Sequence, residues 1–139
     1  MTSLAFFDTN ILVYADDAAE PAKQARAISL IAECQRESSL VVSLQVLQEY
    51  FVAATRKLRV DPVTAQRKVE ILARGRVVRF TERDVIAAIE LHRLAQISFW
   101  DAMIVHAARV ANATVLYSED MANESTIGGI RVKNPFAGS

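Results

Sequence analysis

Five short, mainly apolar runs are separated by longer stretches in which apolar residues recur at helical spacing. The runs are Leu4-Ala5-Phe6-Phe7, Leu40-Val41-Val42, Val77-Val78-Arg79-Phe80, Thr114-Val115-Leu116-Tyr117 and Ile130-Arg131-Val132. Strand-length runs alternating with helix-length stretches are the pattern of βαβ units, which build a parallel sheet covered by helices on its faces. This excludes all-helical and all-β architectures and leaves an α/β domain.

Local signals place the helices. A short helix begins near Asn10. A second is expected over about Pro21 to Arg36, with Ala25, Ile28, Ile31 and Ala32 on its apolar side. The stretch from Leu44 to about Leu58 aligns Leu44, Leu47, Phe51, Ala54 and Leu58, and Asp61-Pro62 supplies a cap and a first-turn proline for the next helix. Thr81 with Asp84 three residues on resembles a capping box opening a helix to about Leu94, and another runs from Phe99 to Ala111. Gly128-Gly129 reads as the turn into the last strand.

With 139 residues, three prolines and four glycines, there is no room for a linker, so residues 1–139 are expected to form one domain. A chain that is 52% hydrophobic and 23% charged needs no disulfide staples. The lone Cys34 follows Ile28 and Ile31 at helical spacing and is expected to be a buried thiol in a reducing compartment. No apolar run approaches the roughly 18 residues of a membrane span. Nor does the start carry the basic region of a secretion signal, so a cytoplasmic protein is expected.

Charge is unevenly spread although the net charge is zero. Residues 56–79 carry Arg56, Lys57, Arg59, Arg67, Lys68, Arg74, Arg76 and Arg79 against Asp61 and Glu70. Such a flank suits a nucleic-acid backbone, and equally suits a set of solvated helix faces.

Four acids stand where such a sheet opens: Asp8, Glu49, Asp101 and Asp120. Asp8 follows the first strand and Asp120 follows the fourth, and ligands of open parallel sheets bind beyond the carboxyl ends of the strands. If the four converged they would suit Mg²⁺ or Mn²⁺, hard cations that take carboxylate oxygens. Each acid also has a plainer reading. Asp8 suits a helix cap, Asp120 an ordinary loop, and Asp101 the third position of a helix capped by Ser98. Because Asp101 shares a wheel face with Ile104, Val105 and Ala108, a metal role is preferred for it. Glu49 lies nearly opposite the Leu47/Phe51/Ala54 stripe, so it faces solvent by default and lines a cleft only as an exception. His92 and His106 lack metal-pair spacing and are assigned core or surface roles. Trp100 can stack on an unpaired base or pack in the core, and packing is preferred.

The ordered set of motifs resembles the PIN-domain nucleases, and within them the VapC-type toxin ribonucleases of bacterial toxin–antitoxin pairs. Asp8-Thr9-Asn10 after the first strand, Gln48-Glu49-Tyr50, Phe99-Trp100-Asp101-Ala102 and Leu116-Tyr117-Ser118-Glu119-Asp120 resemble the family's four acid segments, and Val132-Lys133-Asn134-Pro135-Phe136 resembles a common ending. Ser118 stands where many relatives have threonine, and Glu119 beside Asp120 leaves open which of the two is the fourth acid.

The resemblance implies a three-layer α/β/α sandwich on a parallel sheet of four to five strands. It also implies an endoribonuclease that cuts RNA with a metal-activated water in an acidic pocket. One or two Mg²⁺ or Mn²⁺ ions would be held by Asp8 and Asp101, completed by Asp120 and Glu49, with Thr9, Asn10 and Ser118 orienting the carboxylates or substrate. It further implies a homodimer and a small cognate antitoxin, for which Leu12, Val13 and Ile28 are candidate contacts, although the same positions suit the core equally well. The competing readings are a catalytically silent binding module of the same fold and a Mg²⁺-binding phospho-receiver. A receiver calls for paired acids after the first strand and an acceptor Asp after the third, which this chain lacks.

Overall fold

A computed structural model describes residues 3–137, so the first two and last two positions of the expected domain lie outside it. Along the chain run β1 (Ala5–Phe7), α1 (Thr9–Tyr14), α2 (Pro21–Arg36), β2 (Leu40–Ser43), α3 (Leu44–Arg56), α4 (Pro62–Ala73), β3 (Arg76–Val78), α5 (Glu82–Ala95), α6 (Phe99–Val110), β4 (Val115–Tyr117), β5 (Thr126–Ile127) and β6 (Ile130–Lys133). The strands form one sheet in the order β3-β2-β1-β4-β6-β5. All neighbours pair parallel except β5, which pairs antiparallel with β6. The expected α/β sandwich is present, with five parallel strands and one short edge strand that the sequence pattern does not separate from the turn. Gly128 and Gly129 form that turn with φ of +57° and +83°, the left-handed conformation a two-residue hairpin loop demands.

Every residue of β1 and β2 is buried, as strands covered by helices on both faces must be. Phe6 sits at the centre, in register with Val41 on one side and Leu116 on the other. Around it Phe7, Val41, Val42, Val105, Leu116 and Val132 are fully buried. At roughly 1.5–3 kcal/mol for each large apolar side chain removed from water, this layer carries much of the drive to fold.

The helix ends follow their local chemistry. Ser43, Asp61 and Ser98 each accept a hydrogen bond from a backbone N–H of the first turn, and Thr81 with Asp84 completes the capping box. Two apolar faces differ from expectation. On α2 the buried residues are Ala27, Leu30 and Cys34, while Ile28 is exposed. On α3 they are Val46, Leu47, Tyr50 and Ala54, while Leu44 and Phe51 are exposed. Both helices carry apolar residues on more than one side, so a wheel alone does not select the docking face. Packing against neighbouring elements selects it instead. On α3 the chosen face brings in Tyr50, whose hydroxyl donates to Asp16 at 2.5 Å, and Asp16 also pairs with Lys68 of α4. Cys34 is buried, as expected, and burial raises its thiol pKa. Among the described residues no helix is long and apolar enough to cross a membrane.

The chain lays down β1, β2 and β3 outward in one direction, then returns to place β4 on the other side of β1. The crevice between β1 and β4 at their carboxyl ends is therefore the topological switch point, where open α/β sheets place ligands.

Candidate functional site

Asp8 is the first residue beyond β1, and its N–H donates to the Tyr117 carbonyl at 2.9 Å, carrying the β1–β4 ladder one step further. The residue is only 7% exposed. One carboxylate oxygen accepts from the Thr9 N–H at 2.7 Å, which caps α1, and the other accepts from the Ser118 hydroxyl at 2.7 Å. The capping role and a place in the cleft are thus compatible. Burial pushes its pKa up to about 6; the Ser118 and Thr9 bonds oppose this, and the charges of Asp120 and Glu49 add to it.

Asp101 occupies the third position of α6, where its N–H donates to the Ser98 hydroxyl at 3.0 Å. Burial raises its pKa, Ser98 counters, and the Asp120 charge raises it further. Asp120 accepts from the Asn10 amide at 2.8 Å. Glu49 accepts from the Thr9 hydroxyl at 2.8 Å and from Gln45 at 3.5 Å. The side chains of Thr9, Asn10 and Ser118 therefore each donate to a different acid: Glu49, Asp120 and Asp8 in turn.

Asp8, Glu49, Asp101 and Asp120 all line one cleft of about 450 Å³, together with Thr9, Asn10, Lys57 and Trp100. Glu49 is exposed yet borders the cleft, the exception to its default. Among the described residues none of the four acids forms an ion pair. Glu119 differs. Its carboxylate is held by the Tyr14 hydroxyl at 2.6 Å and the Lys23 ammonium at 2.5 Å. Burial would push its pKa up, but these two bonds outweigh burial and hold it down. Lys23 also lies 4.8 Å from the Tyr14 ring centre. Glu119 thus has its own cation, whereas among the described residues Asp120 beside it has only the neutral Asn10.

Among the described residues no three Asp, Glu, His or Cys side chains are gathered as a ready metal cage. The donor set still suits a hard cation: oxygen-only, multiply acidic and without a paired side-chain cation. Mg²⁺ in particular keeps several waters and takes only one or two carboxylates directly.

The histidines lie elsewhere. His92 contacts the Ile97 carbonyl at 2.5 Å, and His106 links Asp84 at 3.0 Å to Arg109 at 2.9 Å. Of the candidate partner residues, Leu12 is core, Val13 lines the cleft and Ile28 is exposed. Tyr14 and Lys23, absent from the residues singled out by sequence, reach Glu119 across about a hundred residues. Trp100, expected to pack in the core, is 62% exposed. Nothing in local spacing announces either.

Residues 5–122 match the family model of the PIN domain. No curated protein matches the sequence. Among solved structures, the chain is similar to a toxin–antitoxin complex from Klebsiella pneumoniae, with 20% identity, TM-score 0.67 and coverage of 95% of this chain and 98% of the other. It is similar to VapC20 of Mycobacterium tuberculosis, described as a sarcin–ricin loop cleaving toxin, with 21% identity, TM-score 0.69 and coverage of 91% and 98%. VapBC2 from Rickettsia felis, bound to a promoter DNA fragment, aligns with 23% identity, TM-score 0.65 and coverage of 94% and 98%. At these identities the structural likeness establishes the fold, and the family-model match over most of the chain establishes that it belongs to the PIN domain family.

Proposed function

We propose that the chain is a divalent-metal-dependent endoribonuclease that acts as the toxin of a toxin–antitoxin pair. The observation that carries this reading is the grouping of Asp8, Glu49, Asp101 and Asp120 around one cleft at the sheet's switch point, none of them offset by an ion pair among the described residues. Burial first, and then the neighbouring acidic charges, raise the pKa of Asp8 and Asp101, and such carboxylates are costly to keep charged unless a cation joins them. Such clusters concentrate at functional sites. PIN family membership and structural neighbours described as toxin–antitoxin assemblies and a sarcin–ricin loop cleaving toxin support the same conclusion.

In this reading Asp8 and Asp101 would hold the principal Mg²⁺, with Mn²⁺ as a substitute, and Asp120 and Glu49 would complete the set. A bound divalent ion supplies an acidified water and neutralises phosphate charge. The chain does the rest. Thr9 N–H and Ser118 O–H fix the Asp8 carboxyl while leaving each oxygen further lone-pair capacity. Asn10 and the Thr9 hydroxyl position Asp120 and Glu49 in the same way, as supporting groups around metal ligands do. Lys23 and Tyr14 retain Glu119, so Asp120 serves as the fourth acid. The N-terminus of α6, at Asp101, contributes a favourable dipole toward a phosphate. No histidine takes part. The substrate is RNA, a cognate antitoxin blocks the cleft, and the working form is a cytoplasmic homodimer. A phospho-receiver role is disfavoured, because Asp84, the first aspartate beyond β3, is already committed to Thr81 and His106.

Purified chain is incubated with total RNA in Mg²⁺, Mn²⁺ or EDTA, beside Asp8→Asn. Discrete fragments that need metal and vanish in the variant are expected. Equal cutting by both chains, or cutting undiminished by EDTA, refutes the assignment.

A further inference from the structure

Trp100 is the only tryptophan of the chain. Rings of this size are normally well buried, yet this one is 62% exposed. It stands at the second position of α6, directly before Asp101, and lines the cleft that holds the four acids. Phe99 braces it edge to face, with ring centres 5.2 Å apart and planes at 66°. Lys57, at the C-terminal cap of α3, is the one basic residue among the described residues lining the cleft. Arg56 and Arg59, both exposed, flank it in sequence. One cavity therefore combines carboxylates, a supported flat aromatic surface and an ammonium with basic neighbours.

We propose that Trp100 is a stacking platform for an unpaired RNA base next to the scissile phosphate, and that Lys57 contacts a neighbouring phosphate. The inference rests on the ribonuclease reading and deepens it by assigning base stacking and a phosphate contact to two residues outside the acid set, Trp100 and Lys57. A duplex keeps its base faces stacked inside, whereas unpaired bases are free to lie on aromatic side chains. Stacking of this kind tolerates any base, so Trp100 selects strand state more than sequence. An exposed tryptophan also suits a protein contact. RNA is favoured because the ring shares its cavity with the acids and because the added charges, Lys57 and its neighbours, match a polyanion.

As the sole tryptophan, Trp100 reports its own environment by fluorescence. Asp8→Asn in Mg²⁺, with wild type in EDTA guarding against a misfolded variant, is titrated with a short single-stranded oligoribonucleotide, with its duplex, and with the same strand carrying abasic sites. Emission changes with the single strand, and less with the duplex and the abasic strand. Trp100→Ala in the same background weakens single-strand binding, read by anisotropy of a labelled RNA, by roughly 5- to 100-fold, and Trp100→Phe restores most of it. Unchanged emission together with unchanged Trp100→Ala affinity, while wild type still cuts RNA, overturns this proposal, leaves the ribonuclease reading intact and assigns the ring to a protein contact. Failure of every chain to bind or cut RNA overturns both.

Discussion

Replacing Asp8 by asparagine removes a buried charge while keeping the side chain's shape. The new amide oxygen can accept from the Thr9 N–H, and the new amide N–H can donate to the Ser118 hydroxyl oxygen, so both partners of the native carboxyl keep a hydrogen bond. Burial, first among the causes, raises the Asp8 pKa from 3.8 to about 6. At 1.36 kcal/mol per unit this corresponds to about 3 kcal/mol. Because the folded pKa lies above the unfolded one, the folded state binds the proton more tightly. The Asp8 contribution to the stability of the metal-free chain is therefore fully present below about pH 4, and about 3 kcal/mol of it is lost as pH rises through 6. The substituted amide does not titrate. In EDTA the variant should match wild type near pH 4 and exceed it by up to about 3 kcal/mol above pH 7. Urea unfolding followed by circular dichroism measures the difference, and saturating Mg²⁺ should shrink it by stabilising wild type alone. A variant that is less stable than wild type at neutral pH in EDTA, or a difference independent of pH, would refute the reasoning.

Three further outcomes are expected. Asp120→Asn should lower RNA cutting more than about 100-fold, whereas Glu119→Gln should cost about tenfold or less, because Glu119 is already engaged by Lys23 and Tyr14; the reverse order in a cleavage time course would exchange their roles. Ser118→Ala removes the hydroxyl on Asp8 and should weaken Mg²⁺ affinity in calorimetry by about 10- to 100-fold, with Ser118→Thr close to wild type. Neutralising Arg56, Lys57 and Arg59 together should reduce the slope of log affinity for single-stranded RNA against log salt by about 0.7 for each phosphate that is no longer neutralised, and an unchanged slope would make that flank mere solvated surface.

What was legible in the sequence was local. Ser98, Asp61-Pro62 and the Thr81/Asp84 pair place helix starts because a cap needs only residues within one turn of each other. The parallel strands announce themselves as apolar runs because both of their faces are covered. Asp8 and Asp120 are legible by type and by position after strands, Asp101 by its apolar wheel face, and Glu49 only through its motif, but the company they keep is not legible. Ser118 meets Asp8, and Asn10 meets Asp120, across 110 residues. Only strand order, with β4 returning beside β1, brings those partners together. The buried faces of α2 and α3 depart from the wheel for a related reason: where apolar residues occupy several sides of a helix, the docking partner decides which side is buried. Trp100 shows the limit most sharply. Its apolar bulk argues for burial, and its place on a cleft rim leaves it in water.

Whether the four acids form a divalent-cation site is read most directly from crystals grown with Mn²⁺, through the metal's anomalous scattering. A peak is expected in the cleft bordered by Asp8 and Asp101, and it should disappear in Asp8→Asn crystals. A well-ordered cleft without a peak at saturating Mn²⁺, or a peak held by other residues, would contradict that assignment.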